Sequence, residues 1–377
     1  MITVNCVGLG HWGPNLARIF ASHSLSRLGT VCDLSAERLA LVRRNIPAGF
    51  ETSTDPMATV CDPNADAVVI ATPTHTHFEL AKAALQAGKH VLVEKPLCHT
   101  VREGEELQAL AKKHQRILCV GHVFLFNGGI RAVKELIDAG ELGAIRYIYA
   151  TRTNLGPIRS DVNAFWDLAA HDISILNYWL NVEPIEVNAT GMAYLHPDVE
   201  DVVVANLVFP NKVLGCMHAS WLNPKKVREI TVVGEQKMVV WNDMDLNEPL
   251  RVYHKSVDVQ REPGYADSFA GFRMQIRTGD VVIPKIVGGE PLGAECTHFL
   301  ECIRDGKQPL NDAENGLKVL RVLEAADRSM REKSALVPLS DSGATTGAWP
   351  HTLPTPFVPM SRERANDPSK QTQRRTA

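Results

Sequence analysis

Apolar residues recur along the first third of the chain in two alternating rhythms. Short, nearly continuous apolar runs, ITVNCVGLG, RLGTVCD, DAVVIATP, KHVLVEKP and RILCVGH, end on or near Gly, Asp or Pro and predict buried strands. Between them PNLARIFASH, SAERLALVRRN, HFELAKAALQAG and REGEELQALAKKHQ repeat their apolar positions near 3.6 residues, as amphipathic helices do. Leu16, Ile19 and Phe20 share one face of the first helix, Ser35 is placed to cap the second, and Gly88 closes the third. Strands alternating with helices, the strands apolar throughout, predict a parallel sheet covered on both faces.

The rhythm changes after Gly121. A helix, GGIRAVKELIDAG, leads into the strand IRYIYATRTN, a loop, and a helix around AAHDISILNYWL. Then IEVNATGMAYL, DVVVANLVFP, KVLGCMHASWL, VREITVVGE, KMVVWND and LRVYHK follow in succession, joined by turns such as FPNK and VGEQ. Consecutive strands with short connections predict a largely antiparallel sheet. AECTHFLECIRDG and AENGLKVLRVLEAADRSMREKS read as two late helices. Residues 338–377 are rich in Pro, Ser, Thr and charge and are expected to form an extended or disordered tail.

A length of 377 residues exceeds one ordinary core, so two domains are expected. A formal net charge of −3 argues against a broad nucleic-acid surface or an acidic-membrane binder. No apolar run is long enough to span a bilayer, and the N-terminus enters a strand without a basic leader, so a cytoplasmic protein is expected. None of the eight cysteines forms a C-x-x-C pair, and Cys6, Cys32 and Cys119 sit in strand-like runs, as buried free thiols do. No metal is expected: His75 and His77 stand two apart, without a third ligand nearby.

The first strand ends in VGLGHWGPN, which carries Gly8, Gly10 and Gly13 in the spacing G-x-G-x-x-G between a strand and a helix. In that context Gly8 makes the tight turn, Gly10 lets backbone approach a pyrophosphate, and Gly13 lets the helix pack closely on the sheet. Pro14 falls in the first helical turn, whose free N–H groups and partial positive charge suit phosphate. His11 and Trp12 are expected to line the loop against the cofactor. Asp33, about twenty residues beyond Gly13, is placed to accept hydrogen bonds from the adenosine ribose hydroxyls. A carboxylate there repels a 2′-phosphate and no arginine follows immediately, so NAD(H) is expected over NADP(H). The alternative is a tight strand–helix turn with no ligand.

ATPTHTH at Ala71–His77 and VEKPL at Val93–Leu97, together with the D-x-x-x-H element of WDLAAHD at Trp166–Asp172, resemble the Gfo/Idh/MocA family of sugar and cyclitol dehydrogenases. The likeness continues through GHVFLFN, SWLNPKKVREITVVG and the closing helices, over roughly residues 2–337. It implies an α/β fold with an N-terminal Rossmann domain and its parallel sheet over residues 1–121. Residues 122–337 are then a substrate-binding and oligomerisation domain, α+β with a large, mostly antiparallel open sheet, whose last helices pack back on the first domain.

Ligands of open parallel sheets bind beyond the carboxyl ends of the strands, where Asp33, Thr72, Pro73, His75, Glu94, Lys95 and His122 all fall. The resemblance places Lys95 beside the nicotinamide, where its ammonium hydrogen-bonds the reacting hydroxyl and stabilises alkoxide character. It makes His171 the general base, since alcohol oxidation loses a proton as well as a hydride. Asp167, one helical turn earlier, holds a substrate hydroxyl or orients the imidazole. The plainer alternatives are an exposed lysine at a strand end and a helix-start histidine packed against the sheet. His75 lines the nicotinamide side, His77 lines it or caps the next helix, and His122 and Asn127 line the cleft between domains. FNGG departs from the many relatives that carry a proline after the asparagine.

The segment TNLGPIRSDVNAFWDLAAHDISILNYWL resembles the subgroup acting at C3 of nucleotide sugars, the UDP-N-acetylglucosamine and UDP-N-acetylglucosaminuronate 3-dehydrogenases. Its loop carries Asn154, Arg159, Asp161 and Asn163, and a guanidinium beside amide donors suits a carboxylate or diphosphate. Lys225 and Arg228 add positive charge, the alternative for each basic residue being a solvated strand edge or an inter-subunit ion pair. An inositol or hexose dehydrogenase is the alternative within the family. A second class on this fold binds NAD and a sugar or protein partner without turnover and loses the lysine or the histidine; retention of Lys95, Asp167 and His171 favours an enzyme. The second sheet needs cover on its far face, so a homodimer or homotetramer through it is expected.

Overall fold

The computed structural model describes residues 1–47, 49–261 and 272–339. The chain opens as β1 (Ile2–Val7), α1 (Gly13–Ser22), β2 (Ser26–Cys32), α2 (Ala36–Asn45), β3 (Glu51–Ser53), α3 (Pro56–Val60), β4 (Ala67–Ile70), α4 (His77–Gln86), β5 (His90–Glu94), α5 (Val101–His114) and β6 (Leu118–Gly121). Its six strands form one parallel sheet in the order β3-β2-β1-β4-β5-β6. The order reverses at β1 and β4, so the carboxyl ends of these strands flank a crevice. The caps follow the local sequence: Ser35 Oγ accepts from the Arg38 N–H, and Thr100 with Glu103 closes a reciprocal box at α5.

The chain continues as α6 (Gly128–Asp138), β7 (Ile145–Leu155), α7 (Ala170–Leu180), β8 (Glu186–Met192), β9 (Val202–Phe209), β10 (Val213–Ser220), β11 (Leu222–Gly234), β12 (Met238–Asn242), β13 (Leu250–Tyr253), β14 (Ser256–Arg261), β15 (Phe272–Arg277), β16 (Val281–Val282), α8 (Pro291–Asp305), α9 (Ala313–Arg331) and β17 (Val337–Pro338). Nine of these strands form a second sheet, β16-β13-β12-β11-β7-β10-β9-β8-β17, antiparallel except where β7 lies parallel to β10. An N-terminal Rossmann sheet followed by a large, mostly antiparallel sheet with helices is thus the fold. β14 and β15 pair as a separate hairpin.

Three details depart from the pattern reading. β3 and α3 are too short to show a period, and α3 is held by Asp55 Oδ1 accepting from Ala58 N at 3.0 Å. The helix expected around Ala169 starts earlier, as a π-helical turn over Phe165–Ala169 that runs straight into α7. Val337 and Pro338 pair with β8, so the expected tail begins as a strand; residues 340–377 lie outside the described residues.

Alternation in β7 and β9 decides which sheet face is buried. Ile148, Ala150, Val203, Ala205 and Leu207 are buried among Ile173, Leu176, Trp179, Leu320 and Leu323 of α7 and α9. Tyr147, Tyr149 and Val204, one residue out of phase, are 43%, 46% and 50% exposed. Each fully buried Leu, Ile, Val or Phe contributes about 1.5–3 kcal/mol, which holds the register against a one-residue slip. α8 packs back on the first sheet: Cys296, Phe299 and Leu300 join Cys6, Leu16 and Phe20 in one cluster. Among the described residues all eight cysteines are free, and no helix is long and apolar enough to cross a membrane.

Candidate active site

The glycine turn follows directly from packing. Gly8 has φ +94°, and a Cβ on it would stand 2.6 Å from the Ala71 backbone; one on Gly13 would stand 1.9 Å from Gly8 O. Both positions exclude a side chain so that β1, its turn and α1 can close on the β4 end. Gly10 faces open space, with nothing within 4 Å of where its Cβ would be. That space belongs to a cleft of about 920 Å³, lined also by His11, Trp12, Asp33, Thr72, Pro73 and His75. A backbone that leaves Gly10 bare above a helix N-terminus fits a dinucleotide pyrophosphate.

Asp33 ties this turn to the end of β2. Its Oδ2 accepts from the Leu9 N–H at 2.6 Å and its Oδ1 from the Ser35 N–H at 2.8 Å. Arg38 Nη1 lies 3.7 Å from Asp33 Oδ2 and lines the same cleft. Arg38 stands five residues after Asp33 and not immediately beyond it. One turn of α2 brings Arg38 back to the strand end.

Glu94 and Lys95 project from the end of β5 into the cleft. Lys95 Nζ donates to Asp167 O at 2.5 Å and stands 3.3 Å from Asp167 Oδ1. Asp167 also accepts from Arg159 Nη1 at 3.2 Å and from Trp221 Nε1 at 3.1 Å. Burial pushes the Asp167 carboxyl up, but Lys95, Arg159 and the Trp221 bond outweigh it and hold the group below the usual range. Lys95, Asp167, His11 and Trp12 line both this cleft and a second cavity of about 510 Å³. The lysine–carboxylate pair therefore stands at the junction of the two spaces.

His171 lines the second cavity, four residues beyond Asp167 and just past the junction of the π-helical turn with α7. Phe124 meets its ring edge-on at 4.9 Å, and its Nδ1 is buried without a partner. Burial comes first, then Lys95, Arg152, His122 and Arg228, in pushing the imidazole pKa well below the ordinary histidine value. A neutral His171 follows, available to accept a proton. Asp167 is engaged by Lys95, Arg159 and Trp221 and makes no bond to the imidazole, so of its two expected roles the orienting one has no contact behind it.

Other expected residues are placed differently. Arg159 pairs with Asp161 and Asp167 and lines the dinucleotide cleft rather than the second cavity. Asn163 faces neither: its Nδ2 bonds Glu200 Oε2 at 3.0 Å and Asp327 Oδ1 at 3.1 Å, and its Oδ1 accepts from Trp166 N. Those carboxylates satisfy both amide hydrogens, and Asn163 lines neither cavity. Asn154 lines the second cavity with its Oδ1 unpartnered, and its Nδ2 donates to Gly156 O. His77 bridges Pro96 O and Thr72 O and so braces the two strand ends from behind. His122 is buried with both ring nitrogens unpartnered, and burial with nearby Lys95 pushes it down to about 3. Asn127 accepts from the Gly129 and Ile130 N–H groups, capping α6 without a proline. Lys226, not Lys225, reaches the second cavity beside Arg228, whose Nη1 is 2.9 Å from Asp243 Oδ2.

Residues the sequence reading missed complete the cavity. Arg152, an inward position of β7, makes three bonds of 2.6–3.1 Å to Asp172, and both side chains are 4% exposed. Its guanidinium stacks 4.5 Å from the Phe124 ring centre. The signal was available: a charged residue at an inward strand position needs a buried partner. Glu290, Pro291 and Leu292 at the start of α8 close the cavity, with Glu290 Oε1 2.7 Å from Arg18 Nη2 on α1. Among the described residues no group of three or more His, Cys, Asp or Glu side chains is placed to hold a metal ion.

A glycine turn over a helix N-terminus, an acid at the next strand end, and a lysine where two cavities meet define a dinucleotide-binding oxidoreductase. Residues 2–122 match the model of the Gfo/Idh/MocA oxidoreductase family, NAD-binding Rossmann fold, and residues 130–240 match its GFO/IDH/MocA C-terminal domain. UDP-N-acetylglucosamine 3-dehydrogenase of Acidithiobacillus ferrooxidans is 29% identical over 319 residues, 83% of this chain and 92% of that protein. Its solved structure superposes with a TM-score of 0.69 at 26% identity, covering 88% of this chain and 99% of the other. The NAD(+)-dependent scyllo-inositol 2-dehydrogenase of Bacillus subtilis is 28% identical over 340 residues, 86% of this chain and 93% of that protein. The chain belongs to the Gfo/Idh/MocA family of oxidoreductases.

Proposed function

We propose that the protein is an NAD-dependent dehydrogenase that moves hydride between nicotinamide and a secondary alcohol of a sugar, C3 of a UDP-linked amino sugar or its uronate. The observation that carries this reading is Lys95, held by Asp167 at the junction of the two cavities. The turn at Gly8, Gly10 and Gly13 with Asp33 would hold the dinucleotide, and Thr72, Pro73, His75 and Glu94 would border its nicotinamide half. Bound nicotinamide supplies the hydride acceptor. Lys95 Nζ turns one hydrogen bond to the substrate oxygen and stabilises its negative charge in the transition state. Asp167 keeps Lys95 charged and aimed. Neutral His171 accepts the hydroxyl proton.

Lys226, Arg228 and Asn154 line the second cavity and suit an anionic substituent. This placement and the relative at 29% identity support a nucleotide sugar. A second reading has its own support: Asp243 offsets Arg228, Glu290 adds negative charge, and an inositol dehydrogenase is 28% identical, so a neutral polyol is the alternative substrate. Asp33 supports NAD(H) over NADP(H), and Arg38 pulls the other way. The exposed Tyr147, Tyr149 and Val204 stripe supports self-association through the second sheet. The test is NADH formation by purified protein with UDP-sugars, inositols and free hexoses in parallel. Turnover confined to inositols selects the second reading, and no turnover selects a non-catalytic binder.

A further inference from the structure

The proposed base lacks the support that a histidine base ordinarily has. The chain itself restricts an imidazole only weakly about χ2, and a hydrogen bond on the second ring nitrogen is what normally fixes ring and tautomer. His171 Nδ1 is buried without a partner, and among the described residues the ring makes no hydrogen bond. The adjacent carboxylate, Asp172, is turned to Arg152 instead. What meets the imidazole is Phe124, 4.9 Å from centre to centre at an interplanar angle of 68°. Aromatic pairs favour such edge-to-face contacts at about 4.5–7 Å.

Phe124 is itself held from several sides. It lies in a tight turn, Val123–Phe126, between β6 and α6, where Arg131 Nε donates to Leu125 O at 3.1 Å. The Arg152 and Arg228 guanidiniums stand 4.5 and 5.8 Å from its ring centre, both within the about 6 Å of a cation–π contact. Trp241 of β12 meets it at 5.9 Å and 84°. Trp241 is buried hard against Gly129 of α6, where a Cβ would stand 2.6 Å from its Cδ1. Arg152 and Arg228 face each other across β7 and β11, an arrangement that disfavours like charges. Asp172 offsets the first, Asp243 the second, and the ring of Phe124 lies against both. The contacts close a loop: His171 packs on Phe124, Phe124 carries Arg152, and Arg152 bonds Asp172, the residue next to His171.

We propose that Phe124 is the positioning residue of the base, its ring fixing the His171 imidazole by edge-to-face packing in place of the hydrogen bond that Nδ1 does not make. The proposal rests on the reading of His171 as the proton acceptor of a dehydrogenase. An aliphatic side chain at position 124 frees χ2 of His171 and lets water reach the imidazole. Fewer conformers then aim the base at the substrate hydroxyl, and the imidazolium is less penalised by burial. Burial is the first cause holding His171 well below the ordinary histidine value, so loss of the cover moves its titration upward. The charged and titratable groups about it remain in such a variant. Lys95 just past β5, Arg152 on β7, Arg228 on β11 and His122 at the end of β6 oppose the imidazolium, while Asp167 and Asp172 stay engaged by their cations.

The experiment compares wild type with Phe124→Leu, Phe124→Met and Phe124→Tyr. Kinetics use whichever sugar or polyol wild type oxidises, and fluorescence titration gives the NADH dissociation constant. Phe124→Leu is expected to lower kcat by about 10- to 100-fold, with KM and the NADH dissociation constant within about threefold of wild type. Phe124→Met, which keeps much of the volume, reads the same quantities where Phe124→Leu does not fold. Phe124→Tyr restores the ring and rescues kcat to within about threefold. An unchanged kcat in both aliphatic variants overturns the proposal, as does a loss in Phe124→Tyr equal to theirs. A fall in NADH affinity as large as the fall in kcat marks a merely structural role and also overturns it. Proton NMR of the unliganded protein follows the His171 ring, assigned by its loss in His171→Asn. Its titration moves upward in the aliphatic variants and keeps the wild-type position in Phe124→Tyr; the same titration in all four proteins refutes the contact. Absence of turnover by wild type overturns the dehydrogenase reading, and the NMR titration then judges the packing alone.

Discussion

Replacing Arg152 by methionine tests the packing beneath the active site. Asp172 is 4% exposed and takes all three of its bonds from Arg152, at 3.1, 3.0 and 2.6 Å. Methionine keeps much of the apolar stem against Phe124 and removes the cation. A buried carboxylate is then left without a partner, a loss of about 3–5 kcal/mol. Asp172→Asn alone strands the guanidinium and costs a similar amount. The double variant has no buried charge, so it recovers part of the loss, with a coupling on the order of 2–3 kcal/mol. Urea unfolding midpoints of the four proteins, read at constant slope, measure the cycle. Single variants within about 1 kcal/mol of wild type, or strictly additive effects, would refute the claim that this pair is a mutually dependent buried unit.

Lys95→Ala is expected to lower kcat by about 10²–10³ while changing the NADH dissociation constant less than about threefold, as stopped-flow kinetics and fluorescence titration will show. Because His171 is held well below the ordinary histidine value and works as the neutral base, kcat/KM should not fall as pH drops through the usual histidine range. Its acid limb lies lower and moves upward in Arg152→Met, where a cation that disfavours the imidazolium is gone; a wild-type limb centred on the ordinary histidine pKa contradicts this. Asp33→Ser should weaken NAD binding by about tenfold and improve NADP binding, since Arg38 is left free to meet a 2′-phosphate; unchanged preference in calorimetry counts against both assignments. Asn163→Ala should cost about 1–3 kcal/mol of stability, because Glu200 and Asp327 lose their shared donor, yet leave KM within about twofold.

Much of the first sheet was legible because each strand there is a short apolar run closed by a turn residue and followed by a periodic helix. The site residues that local pattern reached are those at strand ends: Gly8, Asp33, Thr72, Glu94 and Lys95. Their position in the sheet already places them in one crevice. Contacts between segments far apart in sequence were not legible. Asn163 looked like a free donor in a polar loop, but Glu200 and Asp327, 37 and 164 residues away, satisfy it. Trp221, the residue that links β10 to β11, reaches Asp167 in the π-helical turn 54 residues away in sequence. Arg38 returns to Asp33 through the pitch of α2, a relation that reading only the next residue could not reveal. Glu290 enters because α8 folds back on the first sheet, and helical periodicity says nothing of where a helix docks.

In the proposed function, Lys95, Asp167 and His171 serve hydride transfer to nicotinamide from a sugar alcohol held beside Lys226 and Arg228. Initial rates of NADH formation with UDP-N-acetylglucosamine, its uronate, scyllo- and myo-inositol and free glucose test it most directly, each run with wild type and Lys95→Ala. The expected kcat/KM for a UDP-linked sugar is at least about tenfold above that of every uncharged polyol and is lost in Lys95→Ala. No NADH from any of these compounds, or equal rates in the variant, would contradict it.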